Sequence, residues 1–353
     1  MERKNKTTTE FFASANSYSG FKSYFDEIFD SRKFDRIFVL KGGPGSGKST
    51  LMKKISRQFE NEETDVELFR CSSDKNSLDG IILKNGERRI AIIDGTAPHE
   101  RDAVIPGAVD VLINLGDAFD TDALYSSKKE IFELNFCKKQ SYKIAYDNLT
   151  KSSVFSNNIK AEMINLLNVD DVNSSVEEIA RSLNLTYEGE NCIRLFSSFS
   201  KDGYTKIKSF DSSEYKIYTV NGRFGSDCAF LNSLEKFFRK NGYLFTKMPS
   251  ALDENVTEGI YFPRSKLAIL CADYGDCLCN TEEFLSTDDG LAFEKIKTLQ
   301  IGKELYENAA KEALNKASEC HFELERIYTG AVDFEIIDKY TQNVTDSIAK
   351  IFS

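Results

Sequence analysis

The sequence predicts an α/β protein of two tandem units, each a parallel sheet flanked by helices. Three observations predict it. Residues 37–59 (IFVLKGGPGSGKSTLMKKISRQF) run from an apolar stretch of strand length through a glycine-rich loop into a helical pattern. Apolar runs at 66–69, 89–94 and 109–117 then alternate with loops and a long helical pattern, as strands of an open sheet do. Residues 215–231 repeat the pattern of residues 35–51 at a constant separation of 180.

The loop is the most specific signal. Residues 42–49 fit G-x-x-x-x-G-K-[ST], the phosphate-binding pattern called Walker A. Ile37, Phe38, Val39 and Leu40 form the strand before it, and Leu51, Ile55 and Phe59 mark one buried helical face after it. Gly42, Gly45 and Gly47 permit positive φ and leave no Cβ between the amides and a ligand. With Gly43 and Ser46 they form a nest of N–H groups for phosphate oxygens at a helix N-terminus, with Pro44, which has no N–H, completing the loop. Lys48 is expected to reach the β- and γ-phosphates and Ser49 to ligate Mg²⁺, with Thr50 beside it. A glycine turn that happens to end in Lys-Ser explains the letters but not the strand and helix around them.

The 353 residues suffice for two domains, each with its own core. A net charge of -10 argues against a broad nucleic-acid or anionic-membrane surface. No run is long enough to cross a bilayer, and the opening MERKNKTTTEFF has no apolar stretch of a leader. The eight cysteines are scattered. Cys271, Cys277 and Cys279 cluster without paired C-x-x-C spacing, so reduced thiols in a cytoplasmic protein are expected.

In order, residues 9–15 read as a short strand or loop, and residues 20–29 place Phe21, Tyr24, Phe25 and Ile28 on one helical face. After the loop helix, an acidic link at 60–64 leads to a strand at 66–69 that ends in Cys71-Ser72-Ser73-Asp74. Those polar groups suit either contact with a ligand at the sheet's carboxyl edge or an Asx or Ser turn. RIAIID, at 89–94, closes an apolar strand on Asp94, in the position where Walker B holds the Mg²⁺ shell. Gly95 follows in place of the glutamate that many ATPases use, leaving Thr96, His99, Glu100 and Asp117 as candidate bases. The strand at 109–117 ends in a tail like the guanine-reading N-K-x-D, but Leu115 replaces the lysine, so ATP is expected over GTP. Residues 122–149 form a long helical pattern with Ile131, Leu134, Cys137 and Ile144 inward and Lys128, Lys129, Lys138 and Lys139 solvated. The polar stretch after it divides the chain into a first unit at 1–150, a linker at 151–189 and a second unit at 190–353.

The second unit is a repeat without the chemistry. Gly222, Gly225, Ser226 and Leu231 match Gly42, Gly45, Ser46 and Leu51, while VTEGIYF parallels SLDGIIL and KLAIL parallels RIAII. Asp227, Cys228 and Ala229 replace Gly47, Lys48 and Ser49, and Cys271 stands where Asp94 stood. A carboxylate where phosphate would lie opposes triphosphate binding. One nucleotide per chain is expected.

The stretches FFASANSYSGF, LKGGPGSGKSTLMKKI, CSSDKNSLDG, IIDGTAPH and PGAVDVLINLGD resemble an uncharacterised bacterial family of tandem P-loop ATPases over nearly the whole length. The resemblance implies a cytosolic NTPase of two related halves, with Lys48, Ser49 and Asp94 on its Walker positions. Its second half is usually more nucleotide-competent than NGRFGSDCAF. Three functions fit. A slow Mg²⁺-dependent ATPase or switch uses Lys48 and Asp94, completed by a protein partner or a second copy and by an arginine such as Arg223 or Arg264. A small-molecule or nucleotide kinase lacks its arginine clamp, since no arginine lies between Arg101 and Arg181. A non-catalytic module holds ATP as a stabilising ligand.

Overall fold

Two six-stranded sheets of identical connectivity face each other across one shared core. The computed structural model describes residues 8–61, 63–286 and 290–353. The charged opening at 1–7 and one residue of the acidic link lie outside them. In chain order the first half comprises β1 (Thr8–Phe12), β2 (Ser14–Ser17), β3 (Gly20–Ser23), α1 (Phe25–Ile28), β4 (Arg36–Lys41), α2 (Lys48–Phe59), β5 (Thr64–Arg70), β6 (Leu78–Asn85), β7 (Arg88–Asp94), β8 (Asp110–Asn114), α3 (Thr121–Ser126) and α4 (Lys128–Leu166). The second comprises α5 (Val169–Ser182), β9 (Cys192–Ile193), β10 (Ser197–Ser200), β11 (Gly203–Lys206), β12 (Lys216–Asn221), α6 (Ser226–Lys240), β13 (Thr246–Pro249), β14 (Thr257–Phe262), β15 (Leu267–Leu270), β16 (Asp276–Asn280), α7 (Gly290–Thr329) and α8 (Phe334–Phe352).

The first sheet has the order β1-β5-β6-β7-β4-β8, and the second, read from its β9 edge, β9-β13-β14-β15-β12-β16. The sheets are mixed, where all-parallel sheets were expected. β6 runs antiparallel to β5 and β7, as β14 does to β13 and β15. The reason is link length. A parallel pair needs a crossover of about a dozen residues or more, whereas only Gly86 and Glu87, with Gly86 at φ 57°, join β6 to β7. The expected helix at 20–29 is likewise a strand and one helical turn, because β3 pairs with β2 as a hairpin.

The halves meet where β1 and β9 end. Phe12 and Leu195 bridge antiparallel through their backbones, and Phe11, Phe12, Phe69, Leu195, Phe196, Phe210 and Met248 fill one core between the sheets. Across it, Glu67 on β5 pairs with Arg194 at 2.9 Å and also with Lys84.

The boundary expected at residue 150 falls inside α4. That helix continues from the first half's sheet to the second half, and α5 packs on α6 through Val172, Val176 and Ala180. In return α7 starts beside the second sheet, runs antiparallel along α4 and delivers α8 onto α2, where Ile337, Val344 and Ile348 join the first core. Paired bridges frame both crossings, Phe119 with Val332 and Leu167 with Leu285. The α4 surface facing α7 is narrow, with Ser141, Ala145 and Ser152 buried on it and Ala310, Ala313 and Ala317 buried on α7. Ile144, expected inside, is 53% exposed, because the buried face of α4 runs through Ser141, Ala145, Leu149 and Ser152 instead. Among the described residues no helix is long and apolar enough to cross a membrane.

The Glu67–Arg194 pair yields a pH prediction. Burial opposes the Glu67 charge, but Arg194 and Lys84 outweigh it and hold the carboxyl below its ordinary range. Such a group contributes stability above its unfolded pKa of about 4.3 and loses it as pH falls through the folded value. Glu67→Gln is expected to cost about 3–5 kcal/mol at pH 7 by leaving Arg194 buried without a counter-charge. The difference should shrink below about pH 4. Urea unfolding of both proteins from pH 3 to 8 checks this.

Candidate functional site

The glycine loop sits at the carboxyl edge of the first sheet, between β4 and α2, in the crevice where ligands of open α/β sheets bind. Gly45 (φ 70°) and Gly47 (φ 85°) take left-handed conformations, and Gly47 is the N-cap of α2. The Ser46 hydroxyl donates to the Gly43 carbonyl at 2.8 Å and closes the turn. A Cβ on Gly42 would stand 2.8 Å from that hydroxyl oxygen. Pro44 is half-buried at the turn.

Lys48 and Asp94 meet. Asp94 ends β7 beside Leu40 of β4, and its Oδ2 lies 3.6 Å from Lys48 Nζ, both side chains being close to 10% exposed. The amine also donates to the Gly42 and Gly43 carbonyls at 2.8 Å each. Asp94 Oδ1 accepts from Thr96 N at 2.9 Å and Thr96 Oγ1 at 2.6 Å. Ser49 Oγ accepts from Leu78 N at 3.0 Å, and Thr50 is exposed on α2. A hydroxyl and a carboxylate are hard oxygen donors, which is the donor chemistry Mg²⁺ takes.

Of the candidate bases, His99 is buried and stacked on Phe25 at 4.4 Å. Its Nδ1 faces the Asp94 carbonyl at 3.1 Å and its Nε2 the Asp79 carboxylate at 3.5 Å. Burial favours neutral imidazole, but Asp79 and Asp94 together outweigh it and raise the His99 pKa above its ordinary value. Asp117 accepts from Tyr340 Oη at 2.8 Å and from Asn114 Nδ2. Glu100 is exposed. The Cys71–Asp74 stretch adopts its turn reading, since Asp74 accepts from Asn76 N and Ser77 Oγ.

What covers the loop comes from the far end of the chain. Cβ atoms on Gly43 and Gly45 would stand 2.8 Å from the Tyr328 ring and 2.5 Å from Thr329 Oγ1, while Gly47 faces Phe334 and Ile337. Lys138, expected on a solvated face, is instead drawn into this region. Burial lowers its pKa, Glu325 of α7 opposes that, and Lys48 repels it further. Beside it Cys137 and Cys320 bring their sulfurs to 2.7 Å across the α4–α7 seam. Local patterns carry no sign of these neighbours, because α7 reaches the loop only through the long crossing. Arg223 stays in the second half, 3.7 Å from Glu282 and over the Phe293 ring.

The second loop is built differently. Ser226 Oγ donates to Arg223 O at 3.0 Å as Ser46 does to Gly43, but Phe224 (φ 57°) and Gly225 (φ 89°) turn the chain and α6 begins at Ser226. Helix therefore starts at the equivalent of Ser46, two residues earlier than in the first half. Asp227 and Cys228 occupy its first turn, and Cys228 Sγ lies 3.4 Å from Cys271 Sγ. Cys277 is exposed and Cys279 buried, and among the described residues Cys271 groups with Asp227 and Cys228 and not with its sequence neighbours.

The family described as Nephrocystin 3, N-terminal, matches residues 21–83, a span from β3 through β6 that contains the glycine loop. No curated protein and no solved structure matches the chain.

The cover over the loop makes a contrast. Gly45→Ala places a Cβ at φ 70° against Thr329 Oγ1 and, at 2.7 Å, the Glu325 carbonyl, and is expected to cost about 2–4 kcal/mol. Gly86→Ala, at φ 57° in open space, should cost only about 1–2 kcal/mol. Equal shifts in the urea midpoint would contradict the seating of α7 on the loop.

Proposed function

We propose that this chain binds ATP with Mg²⁺ at one site in its first half and turns it over slowly, as a switch whose output is the seating of α7 and α8. The observation that carries the reading is the join of a Walker A sequence to a strand–loop–helix at the sheet's carboxyl edge, with Lys48 3.6 Å from Asp94 on the neighbouring strand. Lys48 exchanges its two loop carbonyls for phosphate oxygens, and the N–H groups of Gly43 and of residues 45–49 donate to the same group. Ser49 and Asp94 supply oxygens for Mg²⁺, whose part is to neutralise phosphate charge. Lys138 adds a second cation near Lys48.

Slow turnover is expected because three of the four candidate bases are engaged and the fourth, Glu100, is exposed to solvent. Thr96 is bonded to Asp94, His99 lies between Asp79 and the Asp94 backbone, and Asp117 is held by Tyr340 and Asn114. Faster hydrolysis then needs a group from a partner protein or a second copy. The same engagement favours, as a second reading, a module that retains ATP without hydrolysis. Phosphoryl transfer to a small acceptor has less support, since no arginine lies between Arg101 and Arg181 to clamp it.

Calorimetry with Mg²⁺ and ATP or GTP, run beside phosphate release, tests the reading. One site per chain with ATP preferred is expected. Lys48→Ala is expected to weaken binding by about 2 kcal/mol or more, on the order of thirtyfold in Kd, and Cys228→Ser to leave it unchanged. Equal affinity in wild type and Lys48→Ala, or two sites per chain, would overturn the assignment.

A further inference from the structure

The two halves place different chemistry at one position. Where the first half sets Lys48 against Asp94 at 3.6 Å, the second sets Cys228 of α6 against Cys271, the residue after β15, at 3.4 Å. The register is the same, for Ile93 opposes Gly80 as Leu270 opposes Gly259, so that Asp94 and Cys271 each follow a matched pair. Asp227 joins the thiols. Its carboxylate and the two sulfurs all lie within 4.8 Å of one another.

Separation distinguishes the uses of such a pair. A disulfide brings its sulfurs to about 2.05 Å. Two thiolates on one tetrahedral Zn²⁺, each about 2.3 Å from the metal, stand about 3.8 Å apart. The observed 3.4 Å excludes a disulfide and is the distance of a thiol hydrogen bond, from which a pair of sulfurs needs to part by only a few tenths of an ångström to bridge the metal.

Glu258 is an independent observation at the same place. It is 5% exposed, and its backbone carbonyl accepts from Cys271 N at 2.7 Å. One carboxylate oxygen accepts from Tyr204 Oη, while Oε2 is buried with no hydrogen-bond partner. The carboxylate is close enough to act on the charge of Cys228. A buried carboxylate oxygen left unpaired is costly unless a cation satisfies it. The Lys206 ammonium is close enough for its charge to act on Glu258, but its hydrogen bond goes to the Cys271 carbonyl at 2.6 Å and not to that oxygen.

We propose that Asp227, Cys228 and Cys271 form a site for a divalent transition metal of the zinc class, with water in the fourth position and the Glu258 carboxylate nearby as a further negative charge. Two sulfur donors select such an ion over Mg²⁺ or Ca²⁺. Binding converts both thiols to thiolates, so each metal taken up releases two protons to solvent. The degenerate half thus holds a cation of its own where the first half holds Lys48. The site stands apart from the proposed nucleotide loop and does not depend on it.

Cobalt titration of the full chain tests this. Protein stripped with a chelator and kept reduced is titrated with Co²⁺ in buffer containing Mg²⁺. One equivalent per chain is expected to develop thiolate-to-cobalt charge-transfer absorption that Zn²⁺ abolishes by displacement. Cys228→Ser should weaken or remove that absorption, and Asp227→Asn should keep it with affinity lowered by about tenfold or more. Cys277→Ser, Cys137→Ser and Lys48→Ala should leave titration and spectrum unchanged. Circular dichroism of each variant separates loss of the ligand from loss of the fold, and the half-exposed Asp227 offers a change that spares the core. The proposal fails if reduced wild type takes up no cobalt. It also fails if a folded Cys228→Ser keeps the full absorption, if Asp227→Asn binds as tightly as wild type, or if the protein isolates as a Cys228–Cys271 disulfide that takes up no metal.

Discussion

Close approach of α4 and α7 is the constraint from which the rest of the architecture follows. Helices of 39 and 40 residues reach about 58–60 Å, and long helices in water need a packed face to persist. Here Leu149 and Leu314 are buried on a face that includes small side chains, Ser141, Ala145 and Ser152 on α4 and Ala310, Ala313 and Ala317 on α7. Their modest size lets the backbones draw together, at the cost of less apolar area per residue. Phe155 packing into the space above Gly302 marks how near the two helices come.

Because these helices cross between halves, neither sheet is closed by its own chain segment alone. α2 is covered by α8 from the end of the second half, and α6 by α5 from the end of the first half's crossing helix. The shared aromatic core and the Glu67–Arg194 pair then join the inner faces of the sheets. In the proposed switch, this connection lets phosphate at residues 42–49 act on Tyr328, Thr329, Phe334 and Ile337 without an intervening hinge.

Divergence between the halves is concentrated at the loop and spares the frame. Strand order and the Ser-to-carbonyl bond that closes each turn are common to both. At the equivalent of Gly47 stands Asp227, in the first turn of α6, and the left-handed turn falls on Phe224 and Gly225 instead. Helix then begins two residues earlier and fills the space in which amides converge in the first half. Sulfur replaces the ion pair at the same register.

The glycine loop, the strand ends that place Asp94 beside it and the repeat at a separation of 180 are all legible in the chain, because each depends on residues adjacent in sequence or on glycine's own conformational freedom. Turn chemistry around Asp74 is local and equally legible. The antiparallel β6 and β14 depended on link lengths that hydropathy does not weigh, and the helical reading of residues 20–29 yielded to hairpin pairing with β2. Sequence by itself determined the α/β class, the duplication and the residues of the loop. Tertiary structure alone decided which helix covers which sheet, that Lys138 and Tyr328 approach the loop, and that Cys228 meets Cys271. Those contacts join residues 43 to 285 positions apart, and no local pattern encodes the path of two crossing helices.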